Sequence, residues 1–284
     1  MKKACFIFNP RSGYNISNPR VVGRVRRFVA AQNAAGVLDA RLVSTERPHH
    51  ATELARAAVA DGCELVVAVG GDGTVNEVAT GLVNAPAPVA LGLIPCGSGN
   101  GLGRHLGIPK PDGNALRTLI GGRVRVIDSA VANAFPFFNM MGLGFDAEIS
   151  ARFRTLTKRG LPRYLKIIFS EFFRHKPVRC AVAALRDDGG WERIESDAFI
   201  LAIGNSDQYG NDGFITPLAR IDDGQLDMTL VRRVSPAGAL PLAVRLLTRR
   251  LYGSRAVTHV RAREFVIERP AAGLIHTDGE PRET

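Results

Sequence analysis

The stretch Val66-Val67-Ala68-Val69-Gly70-Gly71-Asp72-Gly73-Thr74-Val75-Asn76-Glu77-Val78 sets the reading of the whole chain. A β-branched run stops at three glycines that enclose one acid, and a polar helix start follows. This order predicts a strand, a tight turn and a helix N-terminus, an arrangement that offers backbone N–H groups to a phosphate. Gly70, Gly71 and Gly73 permit a sharp turn and a close approach by a ligand, with no Cβ in the way. Thr74 and Glu77 have the spacing of a capping box, with Thr74 at the N-cap and Glu77 at N3. Asp72 stands out, because an acid beside phosphates is repelled unless it holds Mg²⁺ or takes a proton from an attacking hydroxyl. The turn therefore points to phosphoryl transfer rather than to anion binding alone.

Working outward, strands alternate with helices. Ala4–Phe8, Asp39–Ser44, Glu64–Val69 and Val89–Ile94 read as strands. Arg20–Ala35, with Val21, Val25, Phe28 and Val29 on one face, and His49–Ala60 read as helices. The alternation predicts a parallel sheet covered on both sides, with ligands beyond the carboxyl ends of its strands. Four polar loops fall at those ends: Asn9–Gly13, Thr45, Gly70–Thr74 and Pro95–Gly101. Near Arg123 the pattern changes. Short runs rich in Val, Ile and Phe follow over 124–131, 135–141, 179–185, 198–203, 226–231 and 265–268, separated by turns such as Asp187-Asp188-Gly189-Gly190. They predict a mainly antiparallel second domain. Asp222-Asp223-Gly224 reads as a hairpin turn, and Trp191 as a packing residue.

The chain has 284 residues, enough for two domains of ~100–200 residues each. No apolar run approaches the ~20 residues of a membrane span. The short run after Met1-Lys2-Lys3 stops at Asn9-Pro10 and reads as a first strand, not a signal peptide. Cys5, Cys63, Cys96 and Cys180 lack disulfide or zinc spacing, and the His residues lack metal spacing, which fits a reduced, cytoplasmic setting. The net charge of +10 is local: 152–179 carries nine Lys or Arg against one acid, and 232–255 six Arg and no acid. In both segments the basic residues mix with apolar ones. Leu161, Tyr164, Leu165, Ile168, Phe169, Phe172 and Phe173 lie in the first, and Leu240, Leu242, Val244, Leu246, Leu247 and Leu251 in the second. Basic amphipathic helices suit an anionic membrane surface.

Five blocks in order carry a family resemblance. They are Asn9-Pro10-x-Ser12-Gly13, Gly70–Val78, Pro95-x-Gly97-Ser98-Gly99-Asn100, the stretch from Gly204-Asn205 to Asp223-Gly224-x-Leu226-Asp227, and Asp278-Gly279-Glu280. Together they resemble the diacylglycerol kinase catalytic-domain family, which includes the bacterial diacylglycerol and YegS-like lipid kinases and the sphingosine and ceramide kinases. The resemblance implies a phosphofructokinase-like α/β nucleotide domain over residues 1–123. Over residues 124–284 it implies an all-β sandwich that takes the lipid. ATP would bind at Asn9, Pro10, Arg11, Ser12, Gly13, Thr45, Gly70, Gly71, Asp72, Gly73, Thr74, Val75, Asn76 and Ser98. Glu280 falls on the proton acceptor of the family, although in the sphingosine kinases the counterpart of Asp72 is assigned that role; which of the two is the base stays open. Asp223 falls on a structural Mg²⁺ ligand, completed by the main-chain carbonyls of Arg220 and Gln225.

Three departures accompany the match. Gly97-Ser98-Gly99-Asn100-Gly101 is closer to the sphingosine kinases than to many bacterial diacylglycerol kinases. The glycine-rich run after Gly204-Asn205 is reduced to Gly210-Asn211-Asp212-Gly213, and the chain ends four residues after Glu280, where relatives usually continue with a strand. The expectation is an ATP- and Mg²⁺-dependent kinase acting on a hydroxyl of a membrane lipid, diacylglycerol or sphingoid in type, peripheral at the inner membrane face. No nucleic-acid partner is expected, and a homodimer is left open. The competing readings are an NAD kinase, which shares the glycine turn but would need a second Asn-Glu-Asp-type motif and leaves the basic segments unexplained, and a non-catalytic nucleic-acid-binding protein, which leaves Asp72 unexplained.

Overall fold

The β-branched runs fold as parallel strands. The computed structural model describes residues 1–13, 20–109, 114–154 and 161–284, which divide into two compact units, Met1–Val126 and Ile127–Thr284. The first unit runs β1 (Lys2–Phe8), α1 (Arg20–Ala34), β2 (Leu38–Ser44), α2 (His50–Ala60), β3 (Leu65–Gly70), α3 (Asp72–Leu82), β4 (Ala90–Pro95), α4 (Gly101–His105) and α5 (Asn114–Gly121). Its sheet has the order β2-β1-β3-β4, with every neighbouring pair parallel. All six residues of β3 are buried, as a strand covered on both faces requires. One face carries Phe6, Phe8, Val67, Val69 and Ile94, packed against Val21, Val25 and Val29 of α1 and Ala115 and Leu116 of α5. Helices α2 and α3 pack closely on each other: a Cβ added at Gly81 would lie 2.6 Å from that of Ala55. The register aligns Phe8 with Ser44 and Val69, and Gly70 with Pro95. The loops that leave these strands therefore start level with one another.

The second unit is antiparallel and two-layered. Its strands are β5 (Ala130–Ala132), β6 (Phe135–Phe137), β7 (Met140–Gly144), β8 (Val178–Leu185), β9 (Trp191–Ala198), β10 (Ile200–Gly204), β11 (Gln208–Gly210), β12 (Gly213–Phe214), β13 (Leu226–Val231), β14 (Val257–Ala262), β15 (Glu264–Glu268), β16 (Leu274–Thr277) and β17 (Glu280–Glu283). One sheet has the order β14-β13-β10-β7-β16-β17 and a second β15-β8-β9. The core between them joins Met141, Leu143, Leu201, Ile203, Met228, Leu230 and Ile275 to Cys180, Val182 and Ala184. Helix α6 (Phe145–Arg154) leads into the first basic segment, and helices α7 (Leu161–Arg174) and α8 (Pro236–Leu247) fall in the two basic segments, as the sequence predicts. Leu161, Arg163, Tyr164, Leu165 and Lys166 belong to α7, but their side chains lie outside what is described.

Three expectations change here. The run 124–131 pairs as a strand only from Ala130; Val124 and Val126 are 78% and 86% exposed. Trp191 is not a core packing residue: it opens β9, a strand not foreseen, and is 52% exposed. β14, which pairs with β13, was not foreseen either.

Candidate active site

The glycine turn is built by backbone contact between two loops. A Cβ added at Gly97 would lie 2.6 Å from Gly71 Cα and 2.9 Å from Asn100 Oδ1, and one added at Gly71 would lie 2.9 Å from Gly97 Cα. Glycine at both places lets the loops touch. Asp72 then bridges them. Its Oδ2 accepts the Asn100 N–H and its Oδ1 the Gly101 N–H, both at 2.7 Å. The carboxylate thus caps the start of α4, where free N–H groups and the helix dipole favour a negative charge. Asn100 has a left-handed backbone with φ 55°, and its side chain bonds back to Gly97, accepting from the N–H and donating to the carbonyl at 2.7 Å each. Ser98 is exposed at the tip of this loop.

The first loop joins the same cluster. Asn9 donates its main-chain N–H to Val69 O at 3.1 Å and its side-chain amide to Thr74 Oγ1 at 3.0 Å, while its Oδ1 accepts the Arg11 N–H at 2.9 Å. Ser12, buried, donates to Cys96 O at 3.1 Å, and the Cys96 N–H reaches Gly70 O at 2.6 Å. Gly70 must lack a side chain, because a Cβ there would lie 2.4 Å from Thr74 Oγ1. Thr45 donates its N–H to Phe8 O at 2.9 Å, at the end of β1. Asn9–Gly13, Gly70–Asn76 and Cys96–Gly101 therefore form one hydrogen-bonded cluster at the carboxyl edge of the sheet, with Thr45 beside it. Pro10 and Arg11 are exposed, Gly13 and Gly73 partly so, and Thr74, Val75 and Asn76 are buried. Burial pushes the Cys96 thiol up to about 12, so it is no nucleophile near neutral pH.

The capping box does not form. Helix α3 starts at Asp72, with Gly71 extended at the N-cap, and Thr74 sits inside the first turn. Glu77 instead serves the neighbouring helix. Its carboxylate accepts the N–H groups of His49 at 3.1 Å and Ala51 at 3.2 Å, at the start of α2.

In the second unit, Glu280 opens β17, opposite Thr277 of β16. The two residues between them, Asp278 (φ 50°) and Gly279 (φ 82°), both have positive φ, the geometry of a type I′ hairpin turn. The Asp278 side chain, 6% exposed, accepts from Phe138 N at 3.0 Å and from Asn139 N and Met140 N at 2.9 Å each. This anchors the turn to the segment that starts β7. The sequence motif placed Asp278 beside Glu280 but gave no sign of this task, since its three donors lie about 140 positions away.

The residues expected to hold a structural cation sit in the loop before β13. Asp223 Oδ1 accepts the Gln225 N–H at 3.1 Å, while Oδ2 is ion-paired with Arg261 of β14, and Arg220 Nε stands 3.7 Å away. Asp128 Oδ2 accepts the Gly224 N–H at 2.7 Å. The charge of Asp223 is thus balanced by guanidinium groups, and no cluster of three His, Cys, Asp or Glu suited to a metal occurs among the described residues. A divalent ion at Asp223 would have to share or displace the pairing with Arg261.

Comparison with known proteins places this geometry. Residues 3–132 match the model of the diacylglycerol kinase catalytic domain, and residues 139–284 that of the YegS C-terminal NAD kinase β-sandwich-like domain. A protein of Pseudomonas aeruginosa named as a YegS-like lipid kinase is 34% identical over 269 residues, 91% of this chain and 83% of its own. The diacylglycerol kinase of Bacillus subtilis is 27% identical over 285 residues, covering 99% and 90%. In fold, the chain matches the crystal structure of a protein assigned as a diacylglycerol kinase from Bacillus anthracis, with a TM-score of 0.77 at 24% identity, over 100% of this chain and 92% of that one. With both halves matched and the glycine cluster and Asp-Gly-Glu hairpin in place, the chain belongs to the diacylglycerol kinase catalytic-domain family, a family of phosphotransferases.

Proposed function

We propose that the protein transfers the γ-phosphoryl group of ATP to a hydroxyl of a membrane lipid, diacylglycerol or sphingoid in type. The observation that carries this reading is the loop cluster held by Asp72: glycines at the carboxyl edge of a parallel sheet, packed so closely that no side chain fits, let a triphosphate approach the backbone at the start of α3. Asn9–Gly13, Thr45, Gly70–Asn76 and Ser98 would line the nucleotide. Mg²⁺ would accompany the phosphates and offset their charge. Glu280 would accept the alcohol proton. Asp72, with both oxygens already accepting backbone N–H groups, suits the task of holding the phosphate loops in place.

The basic helices support a membrane acceptor. In α8, Leu242 and Leu246 pack on the core while Leu240, Val244 and Leu247 are 72%, 52% and 57% exposed. In α7, Phe172 packs inward and Phe169 and Phe173 are 70% and 50% exposed. Apolar side chains facing out among arginines suit an anionic bilayer surface. No described helix is long and apolar enough to cross a membrane. The reading is tested with Glu280→Gln. It should bind ATP as the wild type does and lose at least ~10²-fold in turnover on diacylglycerol or sphingosine in anionic micelles. Near-normal turnover would remove Glu280 from the reaction.

A further inference from the structure

A buried polar group that the reading above leaves unused lies next to the hairpin that carries Glu280. His276, on β16, is 3% exposed, and Asp146, in the first turn of α6, is 9% exposed. His276 Nε2 stands 3.1 Å from Asp146 Oδ2, and Tyr209 Oη donates to that same oxygen at 2.5 Å. Asp146 Oδ1 accepts the Ala147 N–H at 2.9 Å. A carboxylate accepts, so Nε2–H is the donor in this pair, and the other ring nitrogen, Nδ1, faces the turn. The Gly279 N–H points to Nδ1 at 3.4 Å.

The space for this arrangement is made by one glycine. Gly142 pairs with His276 across the sheet, and a Cβ added there would lie 2.1 Å from Asp146 Oδ2 and 2.7 Å from His276 Nε2. Burying a carboxylate and an imidazole is costly unless their hydrogen bonds are met. An apolar pair would fill the same space at less cost. The ring links two elements: the Gly279 N–H, on the residue before Glu280, donates to it, and it donates to Asp146 of α6.

We propose that Asp146 and His276 are positioning residues for the phosphoryl acceptor side. The chain Asp146–His276–Gly279 fixes the Asp278-Gly279 turn, and through it the carboxylate of Glu280. This rests on Glu280 being the proton acceptor, so the test is built as a double-mutant cycle that examines both. His276→Leu removes the bonds to Asp146 and Gly279. His276→Asn puts a side-chain oxygen near the place of Nδ1 and can still accept from Gly279. The expected results in steady-state assays with ATP and diacylglycerol are three. His276→Leu lowers kcat ~10- to 100-fold, the scale of a 1 Å misplacement, with KM for ATP within about twofold. His276→Asn recovers most of that loss. Adding His276→Leu to Glu280→Gln causes no further loss. If Glu280→Gln is impaired and His276→Leu lowers it by the same factor again, the positioning role is overturned while Glu280 stands. If Glu280→Gln turns over normally, the assignment of Glu280 falls, and this role with it. Circular dichroism checks folding; should His276→Leu not fold, Asp146→Asn/His276→Gln enters the same cycle.

Discussion

Replacing Gly97 by alanine probes the contact on which the nucleotide side depends. The new Cβ would lie 2.6 Å from Gly71 Cα and 2.9 Å from Asn100 Oδ1. Ordinary contacts begin near 3.4 Å, so the two loops must part by about 0.8 Å. Neither neighbour can rotate away: one is backbone, and the other is held by two bonds to Gly97 itself. Overpacking of this kind costs ~1–3 kcal/mol. At ~2–4 °C per kcal/mol for a chain of this size, the melting temperature should fall by about 2–12 °C. The phosphate loop moves by the same step, so kcat/KM for ATP should fall ~10- to 100-fold. Differential scanning fluorimetry and steady-state kinetics read the two effects. Gly23→Ala is the control: it lies inside α1, its added Cβ meets nothing nearer than Arg27 Nη1 at 3.8 Å, and it should gain ~0.5–1 kcal/mol. A Gly97→Ala protein that melts and turns over like the wild type would show that the loops are not in tight contact, and the reasoning would fail.

Further outcomes follow from the same geometry. Asp72→Asn can accept only one of the two N–H groups at 2.7 Å and should cost ~1.5–3 kcal/mol; an unchanged urea midpoint would refute the bridge. Leu240→Asp/Val244→Asp should weaken binding to anionic vesicles in flotation assays while leaving the fold unchanged; binding equal to wild type would refute docking through α8. The Cys96 thiol is held at about 12 by burial, against ~8.5 in the unfolded chain. Its contribution to stability is complete below ~8.5 and is lost as pH rises toward 12, so the urea midpoint should fall from pH 8 to pH 10. Because burial also raises Cys5, Cys63 and Cys180, a flat profile would count against all four. Without nucleotide, Mn²⁺ should show no stoichiometric binding by paramagnetic resonance; one tight ion lost in Asp223→Asn would contradict the ion pair with Arg261.

The parallel sheet was legible because each strand is a short apolar run closed by a polar or turn residue (Asn9, Thr45, Gly70 or Pro95), and its observed ends fall within two residues of the predicted ones. The loops at the carboxyl edge followed from that topology. The misses share a cause. β9 alternates exposed residues (Trp191, Arg193, Glu195, Asp197) with half-buried ones, so it lacks the apolar run that marks a buried strand. Val124 and Val126 have the composition of a strand but no partner to pair with. The capping box was a spacing without its context. The N-cap falls at Gly71, three residues before Thr74, where Gly71 lies against Gly97, and Glu77 finds the N–H groups of another helix. The braces at Asp72, Asp278 and His276 join residues 28 to 140 positions apart. No local pattern encodes such pairs; they appear only when the sheets bring their ends together.

The central claim is that phosphate moves from ATP to a lipid hydroxyl. The direct measurement is incubation of the purified protein with γ-labelled ATP, Mg²⁺ and extracted membrane lipids, followed by mass identification of the labelled product. The account predicts a chloroform-soluble phosphomonoester of diacylglycerol or a sphingoid lipid, formed by the wild type and not by Glu280→Gln. Label found only in inorganic phosphate, or, in a parallel incubation with NAD added, in NADP rather than in lipid, would contradict it.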